Sequence, residues 1–179
     1  MAASSSVASK PVPRTLFMLV GFPGSGKSTF AIALAKSDLF IRLNQDEQAF
    51  QTRSQFNELF ESLVIRERKH IVLDRCNHTV EQREYFINFA RKAGMGVIIV
   101  HFNFCPGQCL ENIKKRIASG TSHPSIKNLT TADSILQMFI NEFDLPSESE
   151  GVQKVFTISS FKEADALRAG FIKVASGSI

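Results

Sequence analysis

The stretch that decides the fold is residues 16–28, LFMLVGFPGSGKS. Its first five residues are all apolar, which is typical of a strand buried on both faces of a parallel sheet. The following residues 21–28 fit the pattern G-x-x-x-x-G-K-[ST], the phosphate-binding P-loop. A helical stretch, Ser28 to Ala35, comes directly after. Strand, loop and helix in this order are the context that the motif requires, so the sequence predicts a nucleotide-binding α/β domain.

The chemistry of this loop follows from its residue types. Glycines let backbone N–H groups turn inward around an anion, and the start of the helix adds its positive dipole end. We expect Lys27 to contact the β- and γ-phosphates of ATP or GTP and the Ser28 hydroxyl to help hold Mg²⁺. The motif by itself leaves open a kinase, a GTPase, an ATPase or a passive nucleotide binder. The predicted nucleotide-binding residues are Gly21, Phe22, Pro23, Gly24, Ser25, Gly26, Lys27, Ser28 and Thr29.

The rest of the chain alternates between two hydrophobic periods. Short apolar runs at 40–43, 71–73, 97–102 and 155–158 predict further strands. Helical stripes begin at Phe56, Phe86 and Leu136, and Thr79 with Gln82 predicts a capping box for the second stripe. Polar residues at 119–131 and 146–151 predict loops. Alternating strands and helices predict a three-layer P-loop NTPase fold, with a central, mainly parallel five-stranded sheet and a helical lid.

Composition limits the class of protein. With 179 residues, 44% of them apolar and 21% charged, we expect one globular domain at 14–179, a flexible lead at 1–13 and no room for a second catalytic domain. The lead lacks an apolar segment and no run approaches a membrane span, so neither a secretory signal nor a membrane protein is predicted. Three cysteines without CxxC spacing favour a reduced intracellular protein, nuclear or cytoplasmic. The net charge of +4 permits an anionic partner without requiring one.

Two acids follow predicted strands at the edge where ligands of parallel sheets bind. Asp46 comes three residues after the strand residue Leu43, and Asp74 directly follows the run 71–73. Asp46 suits a general base near an acceptor hydroxyl, and the alternative is an N-cap of the next helix. Asp74 suits a Walker-B acid that binds Mg²⁺ directly or through water, or that contacts the acceptor; the alternative is a turn-forming residue.

A basic cluster lies just before the polar loop at 119–131. Lys114, Lys115 and Arg116 stand beside an apolar helical face. Small P-loop kinases need an arginine that closes over the phosphates and stabilises charge, and Arg116 is our candidate. The alternative for all three is a solvated helix face. Arg53 is a weaker candidate for contacting a substrate phosphate, and His123 for facing the substrate.

Together these residues resemble the 5′-hydroxyl polynucleotide kinase family, in particular the kinase domain of the polynucleotide kinase-phosphatases. The similarity runs from about Leu16 to Ile158 and covers the P-loop, an Asn-x-Asp element at residues 44–46, an apolar-Asp-x-x-Asn element at 71–77, and a lid helix at 112–116. The order of features after the lid also matches, at 123–124, 143–146 and 150–151. The departures are Arg75 and Cys76, where smaller polar residues are usual, and Phe50, which only loosely echoes a family aromatic.

The resemblance implies transfer of the γ-phosphate of ATP or GTP, with Mg²⁺, to the 5′ end of DNA or RNA. It implies that Asp46 is the general base, and that Lys27 and Arg116 complete the catalytic set. Together with the candidates given above, the predicted substrate-binding residues are Asn44, Arg53, Asp74 and Asn77, and the predicted metal ligands are Ser28 and Asp74. Two other hypotheses remain open: a small-molecule kinase acting on a nucleoside or sugar, and a non-catalytic nucleotide-binding module.

Overall fold

The computed structural model describes residues 13–46, 52–121, 126 and 128–177. Its centre is a five-stranded sheet formed by β1 (Thr15–Gly21), β2 (Phe40–Asn44), β3 (His70–Asp74), β4 (Gly96–Phe102) and β5 (Lys154–Ile158). The strand order is β2-β3-β1-β4-β5, and every neighbouring pair is parallel. The prediction of a five-stranded parallel sheet is therefore confirmed, with β1 and its P-loop at the centre.

Helices cover both faces of the sheet, because alternate residues of each strand point to opposite sides. Leu16, Met18 and Val20 of β1 pack against α2 (Arg53–Arg66) and α3 (Val80–Lys92). Phe17 and Leu19 pack on the other face against α1 (Lys27–Leu34) and α6 (Phe161–Ala175). The three-layer arrangement is thus confirmed.

Two further helices form the lid region. These are α4 (Pro106–Ala118) and α5 (Leu129–Glu142), which share a small apolar cluster of Ile113, Ile126 and Ala132 separate from the two main cores. Cys109 and Leu136 join this pair to the α1 side of the sheet. The lid therefore has an apolar contact of its own besides its attachment to the domain.

Local signals set the helix boundaries. Thr79 caps α3 by accepting a hydrogen bond from the Gln82 N–H, which is one half of the predicted capping box, and Gly94 follows the helix with φ +75°. Thr52 forms a complete capping box with Gln55 at the start of α2. These side chains satisfy N–H groups that the first helical turn leaves unpaired.

Three sequence predictions need correction. Helix α6 was not predicted, although Ser160 caps it. The loop predicted at 119–131 ends earlier, because Asn128 caps α5 and residues 129–131 are helical. Inside the loop predicted at 146–151, residues 148–150 form a 3₁₀ turn. The predicted lead (1–13, except Pro13), Phe50 and His123 lie outside the described residues. In the described part of the chain, every helix falls short of the length or apolarity that crossing a membrane requires.

Candidate active site

The P-loop turns sharply between β1 and α1, and its glycines make the turn possible. Gly24 has φ +82° and Gly26 has φ +94°, a region that side-chain-bearing residues rarely adopt. A Cβ at Gly24 would collide with the carbonyl oxygen of Cys109 on α4, so the loop and the lid helix approach closely here. The Gly21 N–H also donates to the Cys76 carbonyl at 3.1 Å, which joins the loop to the end of β3.

Lys27 lies folded against this loop. Its Nζ donates to the carbonyl oxygens of Gly21 at 2.9 Å and Phe22 at 2.7 Å, and to Ser25 Oγ at 3.3 Å. The side chain is only 6% exposed. A buried ammonium held by neutral carbonyls lacks a full counter-charge, so it is well placed to exchange these contacts for anionic phosphate oxygens.

Asp74 is the centre of a buried polar network at the end of β3. Its Oδ1 accepts a hydrogen bond from Ser28 Oγ at 3.2 Å. Its Oδ2 accepts from Arg42 Nε at 2.8 Å and from Asn44 Nδ2 at 2.9 Å. The side chain is 2% exposed, so it is a buried, paired carboxylate rather than a surface turn residue.

This network offers a place for Mg²⁺. The Ser28 hydroxyl and Asp74 Oδ1 are adjacent oxygen donors of the kind that Mg²⁺ prefers, while Arg42 and Asn44 contact the other carboxylate oxygen. Mg²⁺ in phosphoryl-transfer sites is usually held by one or two such groups plus substrate phosphates. The donor set present therefore fits the ion.

Asn44 connects the two candidate acids. Its Oδ1 accepts from the Asp46 backbone N–H at 2.7 Å, and its Nδ2 donates to both the carboxylate and the backbone carbonyl of Asp74. Asn44 and Asp74 are register partners in the β2–β3 pair. Asp46 is exposed and does not cap a helix, since the N-cap of α2 is Thr52. One buried amide thus fixes the backbone of Asp46 relative to Asp74.

Arg116 reaches the same place from the lid. One turn earlier on α4, Asn112 Nδ2 donates to the Gly24 carbonyl at 2.9 Å, which ties the helix to the P-loop. Residues four apart lie on one helix face, so Arg116 faces the cleft as Asn112 faces the loop. Lys114 instead forms an exposed ion pair with Glu111, so the solvated-face alternative describes its position. Lys115 is exposed as well, and it lines a second cavity beside α4.

These groups meet in a cleft of about 300 Å³. Its polar side includes Lys27, Ser28, Asp46, Asp74 and Arg116. The opposite wall is apolar and belongs largely to the lid. The lining residues of that wall are Ile113, Ile117, Ile126, Ile135, Met138 and Phe139. The cleft can therefore hold a polyanion on one side and a flat, weakly polar group on the other.

Some predicted site residues lie elsewhere. Arg53 is exposed at the start of α2, and Thr29 is exposed on α1; neither lines the cleft as described. Asn77 is 1% exposed, has φ +46°, and donates from Nδ2 to the Leu19 carbonyl at 2.8 Å. Its position indicates that it shapes the loop after β3.

A second cavity lies on the other side of the P-loop, between the start of α4 and the start of α6. Phe104, Gln108, Ser160 and Phe161 are among its lining residues. A Cβ at Gly26 would meet the Phe161 ring at 2.8 Å, so the cavity adjoins the phosphate loop directly. The sequence contained no motif for this cavity, because it is built from segments about 50 residues apart.

Sequence reasoning also missed the roles of Arg42 and Arg75. Arg42 is a charged residue inside a predicted buried strand, which in itself signals a buried partner. Arg75 was noted only as a departure from the family pattern, yet its side chain lines the cleft. Beside it, burial raises the pKa of the Cys76 thiol, although Lys27 opposes that shift. Burial also raises the pKa of Cys109 to about 11, so neither thiol is predisposed to ionise.

Comparisons with known proteins agree with this fold. A family model described as an AAA domain matches residues 16–139. The bifunctional polynucleotide phosphatase/kinase of Schizosaccharomyces pombe is 28% identical over 141 residues, which are 78% of this chain and 32% of that protein. The chain thus spans about a third of the length of this curated relative.

Solved structures show the same fold. A fungal RNA kinase superposes with a TM-score of 0.70 at 16% identity, covering 92% of this chain and 86% of the other. A gluconokinase from Sinorhizobium meliloti 1021 superposes with a TM-score of 0.59 at 17% identity, covering 94% and 97%. At such identities the likeness concerns the fold, which is that of the P-loop kinases.

Proposed function

Because this chain belongs to the AAA-domain family of P-loop proteins, we propose that it transfers the γ-phosphate of ATP or GTP to the 5′-hydroxyl end of a polynucleotide. The observation that carries the proposal is the cleft, where a P-loop, an exposed carboxylate and a lid arginine face one another. A hydrolase would need only an ordered water, whereas this cleft also has an apolar wall suited to a nucleobase. The relationship to polynucleotide phosphatase/kinase supports the same acceptor class.

The residues divide the reaction between them. The loop amides and Lys27 bind the triphosphate, with Lys27 leaving the carbonyls of Gly21 and Phe22 for phosphate oxygens. Ser28 and Asp74 would hold Mg²⁺, which neutralises negative charge on the phosphates when bound. The second cavity, between α4 and α6, would take the nucleoside of the donor.

Asp46 acts on the acceptor. Its carboxylate accepts the proton of the attacking hydroxyl, while Asn44 holds its backbone through the 2.7 Å hydrogen bond. The hydroxyl oxygen forms a bond to the γ-phosphorus as the bond from that phosphorus to the bridging oxygen breaks, and the nucleoside diphosphate leaves. Arg116 stabilises the charge that spreads over the transferred phosphoryl group.

A small-molecule kinase is the second candidate. A cleft of about 300 Å³ holds one monomer, and a gluconokinase shares the fold. The apolar lid wall disfavours a sugar, which would need hydrogen-bonding partners there, and favours an acceptor with a base. A nucleoside is therefore the more favourable small acceptor.

The deciding experiment is phosphoryl transfer from γ-labelled ATP or GTP with Mg²⁺. The acceptors are 5′-hydroxyl DNA and RNA oligonucleotides, nucleosides and gluconate, and the 5′-phosphorylated oligonucleotides are the negative control. We expect efficient labelling of the 5′-hydroxyl oligonucleotides and little labelling of nucleosides or gluconate. Label on a small molecule and on neither oligonucleotide would replace the proposal with the second candidate.

The variant Asp46→Asn separates catalysis from nucleotide binding. We expect kcat to fall by about 10²- to 10⁴-fold, because the amide cannot accept the hydroxyl proton. Nucleotide affinity should be unchanged, since the P-loop is intact. If this variant kept full biological function while Lys27→Ala lost it, the result would instead support the non-catalytic nucleotide-binding module.

A further inference from the structure

Arg75 is the cation in the cleft for which the proposed reaction has so far no role. It follows Asp74 directly at the end of β3 and lines the cleft beside Asp46 and Cys76. Its guanidinium carbon lies 5.1 Å from the centroid of the Phe56 ring and 5.5 Å from that of Phe86. The two rings hold the side chain in one position between α2 and α3.

This guanidinium has aromatic neighbours in place of an anion. Its Nη1 is buried and has no hydrogen-bond partner. Within the described ranges, no carboxylate forms an ion pair with it, in contrast to Arg42 and Arg83, which are paired with Asp74 and Glu150. Cation–π contacts offset part of the cost of burying a charge, but they leave the in-plane N–H donors unused.

The charges around Arg75 agree with an empty anion position. Burial lowers the pKa of Arg75, and the nearby positive charge of Arg53 lowers it further, while Cys76 and Asp46 act in the opposite direction. An arginine remains protonated despite such a shift. Asp46 lines the same cleft, so an anion bound to Arg75 would share this cavity with the proposed general base.

From these observations we propose that Arg75 binds an anionic group of the acceptor, namely the phosphate next to the nucleotide whose hydroxyl is phosphorylated. The inference rests on the proposed kinase activity and specifies its substrate: an acceptor with a base for the apolar lid wall and a phosphate for Arg75. Donor phosphates have their own partners in the loop amides, Lys27 and Arg116. Neutral nucleosides and sugars would leave Arg75 without a partner and are therefore poor acceptors.

The test compares acceptors with and without this phosphate. The wild type, Arg75→Met and Arg75→Lys are each offered a 5′-hydroxyl dinucleotide, a nucleoside 3′-monophosphate and the parent nucleoside. Methionine keeps an apolar stem against Phe56 and Phe86, and lysine keeps the charge without the planar fork. Circular dichroism verifies that each variant is folded.

The control variant is Arg66→Met. Arg66 is exposed at the end of α2. Carbonyl oxygens in this end of the helix accept hydrogen bonds from Arg14, which directly precedes β1. This end of α2 therefore lies at the sheet edge opposite the P-loop. The substitution removes one positive charge far from the cleft. Its kinetic constants should match those of the wild type.

We expect Arg75→Met to raise KM for both phosphate-bearing acceptors by about 100-fold, because a buried charged hydrogen-bonding partner is lost. For these acceptors, the KM of Arg75→Lys should lie between the values of the wild type and of Arg75→Met. The constants for the bare nucleoside and KM for ATP should not change. Equal losses for all three acceptors, or a raised KM for ATP, would overturn the inference, since Arg75 would then be structural or donor-binding.

A binding measurement keeps this inference separate from the proposed function. Equilibrium dialysis measures the affinity for a labelled nucleoside 3′-monophosphate in the presence of a non-hydrolysable ATP analogue. If the wild type labels no polynucleotide, the proposed function fails, and this comparison judges Arg75 on its own. Weaker binding in Arg75→Met supports the anion site, whereas equal binding, or none to the wild type, overturns it.

Discussion

Replacing Arg83 with methionine removes the buried ion pair that holds the loop after β3. Arg83 is fully buried and donates from Nε and Nη2 to the two carboxylate oxygens of Glu150, at 2.7 and 2.8 Å. Its Nη1 also donates to the carbonyls of Asn77 and Asp144, each at 3.0 Å. One side chain thus joins the loop that carries Arg75 and Cys76 to the segment between α5 and β5.

The expected cost follows from these four contacts. Removing one partner of a buried ion pair costs about 3–5 kcal/mol, because the other charge stays buried without compensation. We therefore expect Arg83→Met to lower the free energy of unfolding by about 4 kcal/mol. For a chain of this size, that corresponds to a fall in Tm of about 8–16 °C. Adding Glu150→Gln should restore part of the loss, since it removes the unpaired carboxylate.

The assay is urea unfolding followed by circular dichroism, since the chain has no Trp and one Tyr for fluorescence. The control is Lys114→Met, which removes an exposed ion pair to Glu111 and should leave the unfolding midpoint unchanged. A loss below about 1 kcal/mol in Arg83→Met would refute the reasoning, because a buried, four-contact guanidinium cannot be removed so cheaply.

Three further predictions concern the P-loop, the lid helix α4 and the buried His101. Gly24→Ala should raise KM for ATP about tenfold or more, because the added Cβ would collide with the Cys109 carbonyl. The control is Gly120→Ala, which is also at positive φ but has open space around it, and it should leave KM for ATP unchanged. Asn112→Ala should weaken nucleotide binding about 2- to 10-fold by releasing α4 from the Gly24 carbonyl, and an unaltered Kd by calorimetry would contradict this. Burial lowers the pKa of His101 from 6.5 to about 4. The unfolded chain therefore takes up this proton first, and stability falls as pH drops from 6.5 towards 4. His101→Phe should flatten that part of the pH–stability curve, measured by urea midpoints at pH 4.5 and 7; a slope equal to the wild type would count against it.

Much of the fold could be predicted from residues 16–28 and the alternating periods. All five strands lie where short apolar runs predicted them. The central β1 is buried along its whole length, which is why its run at 16–20 is apolar throughout. Helix α6 was not predicted, although Ala164, Leu167, Phe171 and Ala175 have helical spacing. Its burial against Phe17 and Phe30 depends on contacts with the distant β1 and α1.

The candidate site was likewise predictable only in part from the sequence. The P-loop and the two acids, Asp46 and Asp74, could be found from sequence because each belongs to a local pattern at the end of a strand. The pairing of Asp74 with Arg42 could not, since Arg42 reaches it only through the parallel pairing of β2 with β3. The substrate-binding role of Asn77 stays a prediction from its motif, while the hydrogen bond from its Nδ2 to the Leu19 carbonyl is visible only in the structure.

By itself, the sequence determined that this chain has a strand, a phosphate loop and a helix in that order, because glycine conformations and hydrophobic periods act over a few residues. Only the tertiary structure decided which side chains share the cleft. The strand order β2-β3-β1-β4-β5 brings Asp46, Asp74 and Lys27 to one edge, and the lid adds Arg116 from α4. The tertiary structure also leaves Arg75 between two phenylalanine rings without an anion, because burial and pairing depend on contacts between residues far apart in the chain.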